Sequence, residues 1–338
     1  MTDNLFDKAA VFTDIHYGLK QNSHQHLKDC NNFVDWFITE AKLREAETCF
    51  FLGDWHHHRA SINIATMNAS LTDLKKLNDA FEKVYFITGN HDLYYRDKRE
   101  LNSIEFARDL PNFIMVDEIF EEKGVSIIPW LVGSEHKKVA KIDCKYMFGH
   151  FELPFFKMNA MVEMPDHGGI TASMLDKPEY VFTGHFHKRQ YNHNIHYIGN
   201  AFPHNYADAQ DNDRGYMFLE WDKEPQFVNW PDCPKYRTVK LSQLLDPSSD
   251  IIKSKMYLRV TIDLPISYEE ASFIKETFIN EHGCREISLI TQQQIEEMST
   301  ELDIQQFESV DQIVAGEISA LDTENYNKKT LLDIYNEL

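Results

Sequence analysis

Apolar residues in this chain come in short runs, and five of those runs stop at a residue that can bind a metal. The runs 11–12, 49–52, 84–87, 146–148 and 180–182 read as buried strands. Between them, 33–46 and 60–83 carry the spacing of amphipathic helices. Shorter β-rich runs follow at 125–130, 195–198 and 215–221. Strands alternating with helices predict an α/β architecture, and the later crowding of short strands predicts a second sheet packed on the first.

The pattern then changes. Residues 223–250 hold Pro225, Pro231, Pro234, Pro247, Ser248 and Ser249, and read as a connector. A strand at 256–263, a helix at 267–281 and a strand at 285–291 make a compact β-α-β unit. Helical periodicity returns over 297–338, interrupted by a polar stretch at 322–329. The expected domains are therefore 1–235, 236–296 and a helical segment at 297–338. A length of 338 residues fits about two domains.

Composition narrows the function classes. No run of about 18 apolar residues occurs, so no membrane span is expected. Residues 1–8 lack the basic-then-apolar order of a secretory leader. The five cysteines are scattered without a CxxC pair, which argues against a disulfide framework and for a reducing cytoplasm. The net charge of −20, from 34 basic and 54 acidic residues, argues against a protein that coats nucleic acid. It leaves room for an enzyme acting on DNA at a local site, because divalent cations and a partner subunit can supply positive charge.

The five run ends are Asp14-Ile15-His16, Gly53-Asp54, Gly89-Asn90-His91-Asp92, Gly149-His150 and Gly184-His185-Phe186-His187. Five strand-then-ligand units suggest one shared site at a common sheet edge. Mixed imidazole, amide and carboxylate donors suit manganese, iron or zinc. Two such ions about 3.5–4 Å apart can clamp a phosphate and activate a water. The candidate donors are Asp14, His16, Asp54, Asn90, His150, His185 and His187.

In order and spacing these clusters resemble the calcineurin-like metallophosphoesterase family, over residues 14–187. The resemblance implies a two-sheet α/β sandwich flanked by helices. It implies that Asp14, His16 and His187 hold one ion, that Asn90, His150 and His185 hold the other, and that Asp54 bridges. His91 would protonate the leaving oxygen or steady the transition state, with Asp92 orienting it. Phosphoprotein phosphatases usually carry G-D-x-V-D-R-G and G-N-H-E, whereas this chain has Gly53-Asp54-Trp55-His56-His57-His58-Arg59 and G-N-H-D. A histidine three positions after the bridging Asp, here His57, resembles the DNA double-strand-break repair nucleases of the SbcD (meiotic recombination eleven) type. In those nucleases it supports exonuclease action. His56 and His58 flank it, so the residue facing the site is open by one position.

The β-α-β unit resembles the small capping domain of those nucleases. Residues 297–338 resemble the segment that docks on an SbcC-type coiled-coil ATPase. Length and tail look most like the recombination endonuclease subunit of large tailed phages. The resemblance therefore implies an exo- or endonuclease of DNA recombination, replication and repair. It would use two divalent ions, Mn²⁺ first, with Mg²⁺, Fe²⁺ or Zn²⁺ as alternatives. It would form a homodimer in the cytoplasm, the host's if the gene is a phage's. The alternative is a small-molecule or phosphoprotein phosphoesterase of the same fold.

Tyr94, Arg96, Lys98 and Arg99 follow the G-N-H-D cluster, and Lys188 and Arg189 follow the last metal histidine. They are candidate DNA contacts, since cations neutralise phosphates and tyrosines stack on bases. A solvated helix start and a charged turn are the ordinary alternatives. His24 and His26 have no partner pattern, and His193, His196 and His204 lie in a β-rich stretch after the last candidate ligand; all five are expected at the surface.

Overall fold

The computed structural model describes residues 4–158, 163–166, 168–246, 252–291 and 330. Twelve strands run through the first part of the chain. They are β1 Lys8–Phe12, β2 Thr48–Leu52, β3 Lys83–Ile87, β4 Phe113–Val116, β5 Phe120–Glu122, β6 Val125–Ile128, β7 Tyr146–His150, β8 Tyr180–Gly184, β9 Gln190–Asn192, β10 Ile195–Tyr197, β11 Gly215–Glu220 and β12 Gln226–Asn229. They form two six-stranded sheets, ordered β12-β11-β1-β2-β3-β4 and β5-β6-β7-β8-β10-β9. In the first sheet β1 to β4 are mutually parallel, and β11 joins β1 antiparallel. In the second, β6, β7, β8 and β10 are parallel and the edges β5 and β9 are antiparallel. This is the mixed α/β arrangement with two main sheets that the run pattern predicted.

The strands read as unbroken apolar runs because both faces of each sheet are covered. Side chains alternate across a strand. On one face of the first sheet Phe12, Phe51 and Phe86 pack with Phe33, Phe37, Leu74 and Leu77 from the helices. On the other, Val11, Phe50, Leu52 and Ile87 meet Ile127, Phe148 and Phe182 of the second sheet. Phe50 stacks on Phe148 across that interface, ring centres 4.1 Å apart. The far side of the second sheet buries Met147 and Val181 under Phe151, Leu153 and Leu175.

Two long helices cover the first sheet: α1 His24–Leu43 and α2 Ile64–Ala80. α1 starts before the expected residue 33 because the Ser23 hydroxyl accepts from His26 N, capping a first turn too polar to show periodicity. It stops at Leu43 because Glu45 turns left-handed (φ 61) and Ala46 N returns to Ala41 O at 2.9 Å. α2 starts at Ile64 because Asn63 caps it through Ala65 N at 2.8 Å.

The chain divides into two compact units, 1–237 with 255–257, and 238–254 with 258–338. The stretch expected as a connector is partly regular: it contains β12, β13 Lys235–Lys240 and a helical turn Leu241–Leu244. A third sheet orders β13-β14-β15, with β14 Met256–Thr261 and β15 Glu286–Ile290. Between the last two lies α3 Tyr268–Asn280, whose start is a reciprocal cap of Ser267 and Glu270. The segment 297–338 lies outside the described residues, apart from residue 330. Among the described residues no helix is long and apolar enough to cross a membrane.

Candidate metal centre

Five parallel strands aim their ends at one place. β1 leads to Asp14 and His16, β2 to Asp54, β3 to Asn90 and His91, β7 ends at His150, and β8 leads to His185 and His187. The loops after β1 and β2 are zipped together, Asp14 N donating to Gly53 O, His16 N to Asp54 O and Tyr17 N to Trp55 O at 2.7–3.1 Å. That zipper holds Asp14, His16 and Asp54 at φ 51, 53 and 62. His185 sits at φ 89. Left-handed backbone at non-glycine residues costs about 1–3 kcal/mol each and concentrates at functional sites. Two motif glycines are required by space. A Cβ at Gly89 would lie 2.1 Å from Asp54 Oδ1, and one at Gly184 would lie 2.2 Å from Thr13 Oγ1 and 2.7 Å from Asp14 Oδ2.

Asp54 stands at the centre. Its Oδ2 is 3.7 Å from His16 Nε2 and 3.5 Å from His150 Nε2, while Oδ1 accepts from His91 N at 2.8 Å. On the β1 side, Asp14 Oδ1 lies 3.8 Å from His16 Nε2 and 4.0 Å from His187 Nε2. On the other side, Asn90 Oδ1 lies 3.2 Å from His150 Nε2 and 3.0 Å from His185 Nδ1. All seven residues expected as ligands are thus brought together, with Asp54 between two groups of three.

The donors fit a pair of divalent cations. Asp14 Oδ1 and His16 Nε2 are buried with no hydrogen-bond partner, an arrangement that a cation would satisfy. The other Asp14 oxygen is held by Thr13 Oγ1 at 2.6 Å and His185 N at 3.0 Å. His150 Nδ1 donates to Leu52 O at 2.6 Å, which leaves Nε2 facing inward. Burial holds His16 and His185 well below the usual imidazole range, so both are neutral and able to coordinate. Burial also opposes charge on His150, but the Asp54 carboxylate beside it overrides this and raises the imidazole to about 9. A cation at Asp54 would take the place of that proton.

His91 Nδ1 donates to the His57 carbonyl at 2.9 Å, so Nε2 is the nitrogen free to act. Of the three consecutive histidines, His57 is the one at the centre. Its ring stacks on His91 (5.2 Å, 15°) and its Nδ1 is 3.4 Å from His16 Nδ1. His56 is buried between the hydroxyls of Ser70 and Ser103, each at 2.9 Å, and His58 is exposed. Asp92 does a different job from the expected one. Its carboxylate accepts from Gly89 N, Asp54 N and His56 N at 2.9–3.0 Å, fixing the loops that carry the ligands, while the His57 carbonyl sets the His91 ring. Burial and the nearby Asp54 push Asp92 up to about 7.

The candidate DNA contacts divide. Tyr94, Arg96 and Lys98 are exposed, and Lys188 is half-buried. Arg99 is only 13% exposed; it grips both Glu135 oxygens and Trp130 O, all at 2.7 Å. Arg189 donates to Ile198 O and Asn229 Oδ1 and lies over the Phe227 ring. Both guanidiniums brace the fold.

Two histidines expected at the surface are buried beside the ligands. His26 Nε2 donates to His16 O at 2.9 Å. His204 is 1% exposed and packs its ring 5.3 Å from both His16 and His187. Its signal was present: Ala201-Phe202-Pro203-His204 is one more apolar run ending in a residue that can bind a metal, without the glycine that four of the five clusters carry.

A family model described as calcineurin-like phosphoesterase matches residues 8–189. Exonuclease subunit 1 of enterobacteria phage T4 is 26% identical over 220 residues, which cover 62% of this chain and 64% of that protein's length. Among solved structures, the Pseudomonas putida nuclease MPE is 19% identical, covering 54% of this chain and 62% of that one, with a TM-score of 0.29. Yfce, a phosphoesterase from E. coli, is 14% identical, covering 64% and 89%, with a TM-score of 0.34.

Proposed function

The chain belongs to the calcineurin-like phosphoesterase family, and from that premise we propose that it hydrolyses DNA phosphodiesters as the nuclease subunit of a recombination and double-strand-break repair complex. The observation that carries the choice of DNA is His57, which stacks on His91 at the flank of the centre where no phosphatase-type Asp-Arg-Gly stands. Similarity to a phage exonuclease subunit supports the same choice.

Asp14, His16 and His187 would hold one divalent cation and Asn90, His150 and His185 the other, with Asp54 shared; Mn²⁺ is the expected metal. When bound, such cations supply Lewis-acid charge to the phosphate and make a water a competent nucleophile. The chain's own groups do the rest. With its Nδ1–H held by the His57 carbonyl, the His91 imidazolium would give its Nε2 proton to the leaving oxygen and be left as the neutral Nδ1–H tautomer. His57 keeps the His91 ring in plane by stacking. Asp92 keeps Asp54 and the Gly89 turn in register through its N–H contacts. Tyr94, Arg96 and Lys98, exposed just beyond the Asn90-His91-Asp92 turn, receive the nucleic-acid backbone and bases.

A chain of net charge −20 needs help to hold DNA. We assign that help to the bound cations, a second copy of the chain, and an SbcC-type ATPase gripped by 297–338. In this layout 1–235 is the nuclease domain, 236–296 the cap and 297–338 the docking segment, working in the cytoplasm. The acidic charge favours one other reading, a small-molecule or phosphoprotein phosphoesterase.

The test is purified protein with Mn²⁺, offered linear duplex DNA, a cyclic nucleotide and a phosphopeptide. DNA should be cleaved, and His91→Ala should slow cleavage by about 10²- to 10⁴-fold with metal content retained. Turnover of the cyclic nucleotide or phosphopeptide with DNA left intact would reverse the assignment.

A further inference from the structure

His204 lies outside the five strand-end clusters, on the loop after β10, yet it reaches the centre. Its ring is 5.3 Å from those of His16 and His187, nearly perpendicular to both at 89° and 82°. The donor atoms of His16, His187 and His204 lie within 4.8 Å of one another. The side chain is 1% exposed, and neither Nδ1 nor Nε2 has a hydrogen-bond partner. A buried imidazole with both nitrogens unpaired is costly, about 1–3 kcal/mol per unsatisfied group, so such a ring points to a missing partner.

The loop is built to hold it there. Asp208 Oδ2 accepts from His204 N at 2.9 Å and lies 3.4 Å from Asn200 Nδ2. Its other oxygen pairs with Arg214 at 3.3 Å, and Arg214 also pairs with Asp211 at 2.8 Å. Arg214 is itself fully buried. A buried ion pair behind a backbone contact fixes position far more tightly than a surface loop needs.

We propose that His204 is an additional ligand of the β1-side cation, joining Asp14, His16, His187 and the shared Asp54. This rests on the dinuclear-centre reading above. Three imidazoles on one side against two on the other make the halves chemically unequal. The β1 side then prefers late, imidazole-seeking cations such as Zn²⁺ or Fe²⁺, and the Asn90 side tolerates harder ones such as Mn²⁺ or Mg²⁺.

The test is metal binding without DNA. Zn²⁺ and Mn²⁺ are titrated calorimetrically into metal-free full-length protein, His204→Gln and the exposed-site control His193→Gln. Wild type and the control should bind two Zn²⁺; His204→Gln should weaken one site by at least about tenfold and leave the other unchanged, with a smaller effect for Mn²⁺. The second measurement needs no variant: in a crystal of the wild type with Zn²⁺, the anomalous peak should fall about 2.0–2.1 Å from a His204 ring nitrogen. Unchanged Zn²⁺ affinity in folded His204→Gln, or a peak beyond hydrogen-bond reach of that ring, overturns the proposal while leaving the dinuclear centre standing. A wild type that binds no cation overturns both.

Discussion

On the side of the centre supplied by β3, β7 and β8, the inward donors already have protein partners. Asn90 Oδ1 sits between His150 Nε2 and His185 Nδ1, and His150 is steered by the Leu52 carbonyl. On the β1 side the reverse holds. Asp14 Oδ1, His16 Nε2 and both nitrogens of His204 are buried and unpaired. One side is preassembled by its own contacts; the other keeps buried donors that have no protein partner and lack a counter-charge. If cations bind as proposed, binding and folding are expected to be coupled mainly through β1.

The largest expected effect removes what the two sides share. Asp54→Ala should cut phosphodiester hydrolysis by about a thousandfold or more and lower the metal content below two ions, measured by elemental analysis of the purified protein. Retention of both ions would erase the distinction between a shared and a private ligand.

The next test addresses the contrast directly. Zn²⁺ at a hundredfold excess over the Kd of its tighter site should stabilise the wild type by about 2.7 kcal/mol in denaturant titrations. Most of that gain should vanish in Asp14→Ala and most should survive in Asn90→Ala. Equal losses would mean that the two sides are equally preassembled.

Smaller still is the brace behind the preassembled side. Glu135→Gln weakens the grip on Arg99 and should cost about 1–3 kcal/mol in the same titration while metal stoichiometry stays at two. Smallest is His58→Ala, which should change stability by no more than about 0.5 kcal/mol because the ring is exposed. His57→Ala should slow DNA cleavage where His58→Ala does not, and a reversed result would move the reading to the neighbouring histidine.

The preassembled side was the more legible one in the sequence. Its candidate ligands Asn90 and His185 follow glycines where a Cβ is excluded by contact with Asp54 and Thr13, so motif and geometry have the same cause. The sheets were legible for a related reason: strands such as Thr48–Leu52 are buried on both faces and read as unbroken apolar runs. The short strands β4, β5, β9, β12 and β13 were not, because three to six residues of mixed burial carry little periodicity. His26 escaped because tertiary packing, not spacing, brings it in, and His204 because its short apolar run carries no neighbouring glycine. Arg99 and Arg189 looked like DNA contacts because charge pattern cannot tell a phosphate partner from Glu135 or Asn229.

The left-handed backbone of four candidate ligands has a physical corollary. Asp14, His16, Asp54 and His185 occupy backbone that glycine would adopt without strain. Replacing any one of them by glycine relieves the local backbone strain at that position even as it removes a donor from the centre. The strain held at these four positions is thus spent on presenting donors to one point rather than on the stability of the fold.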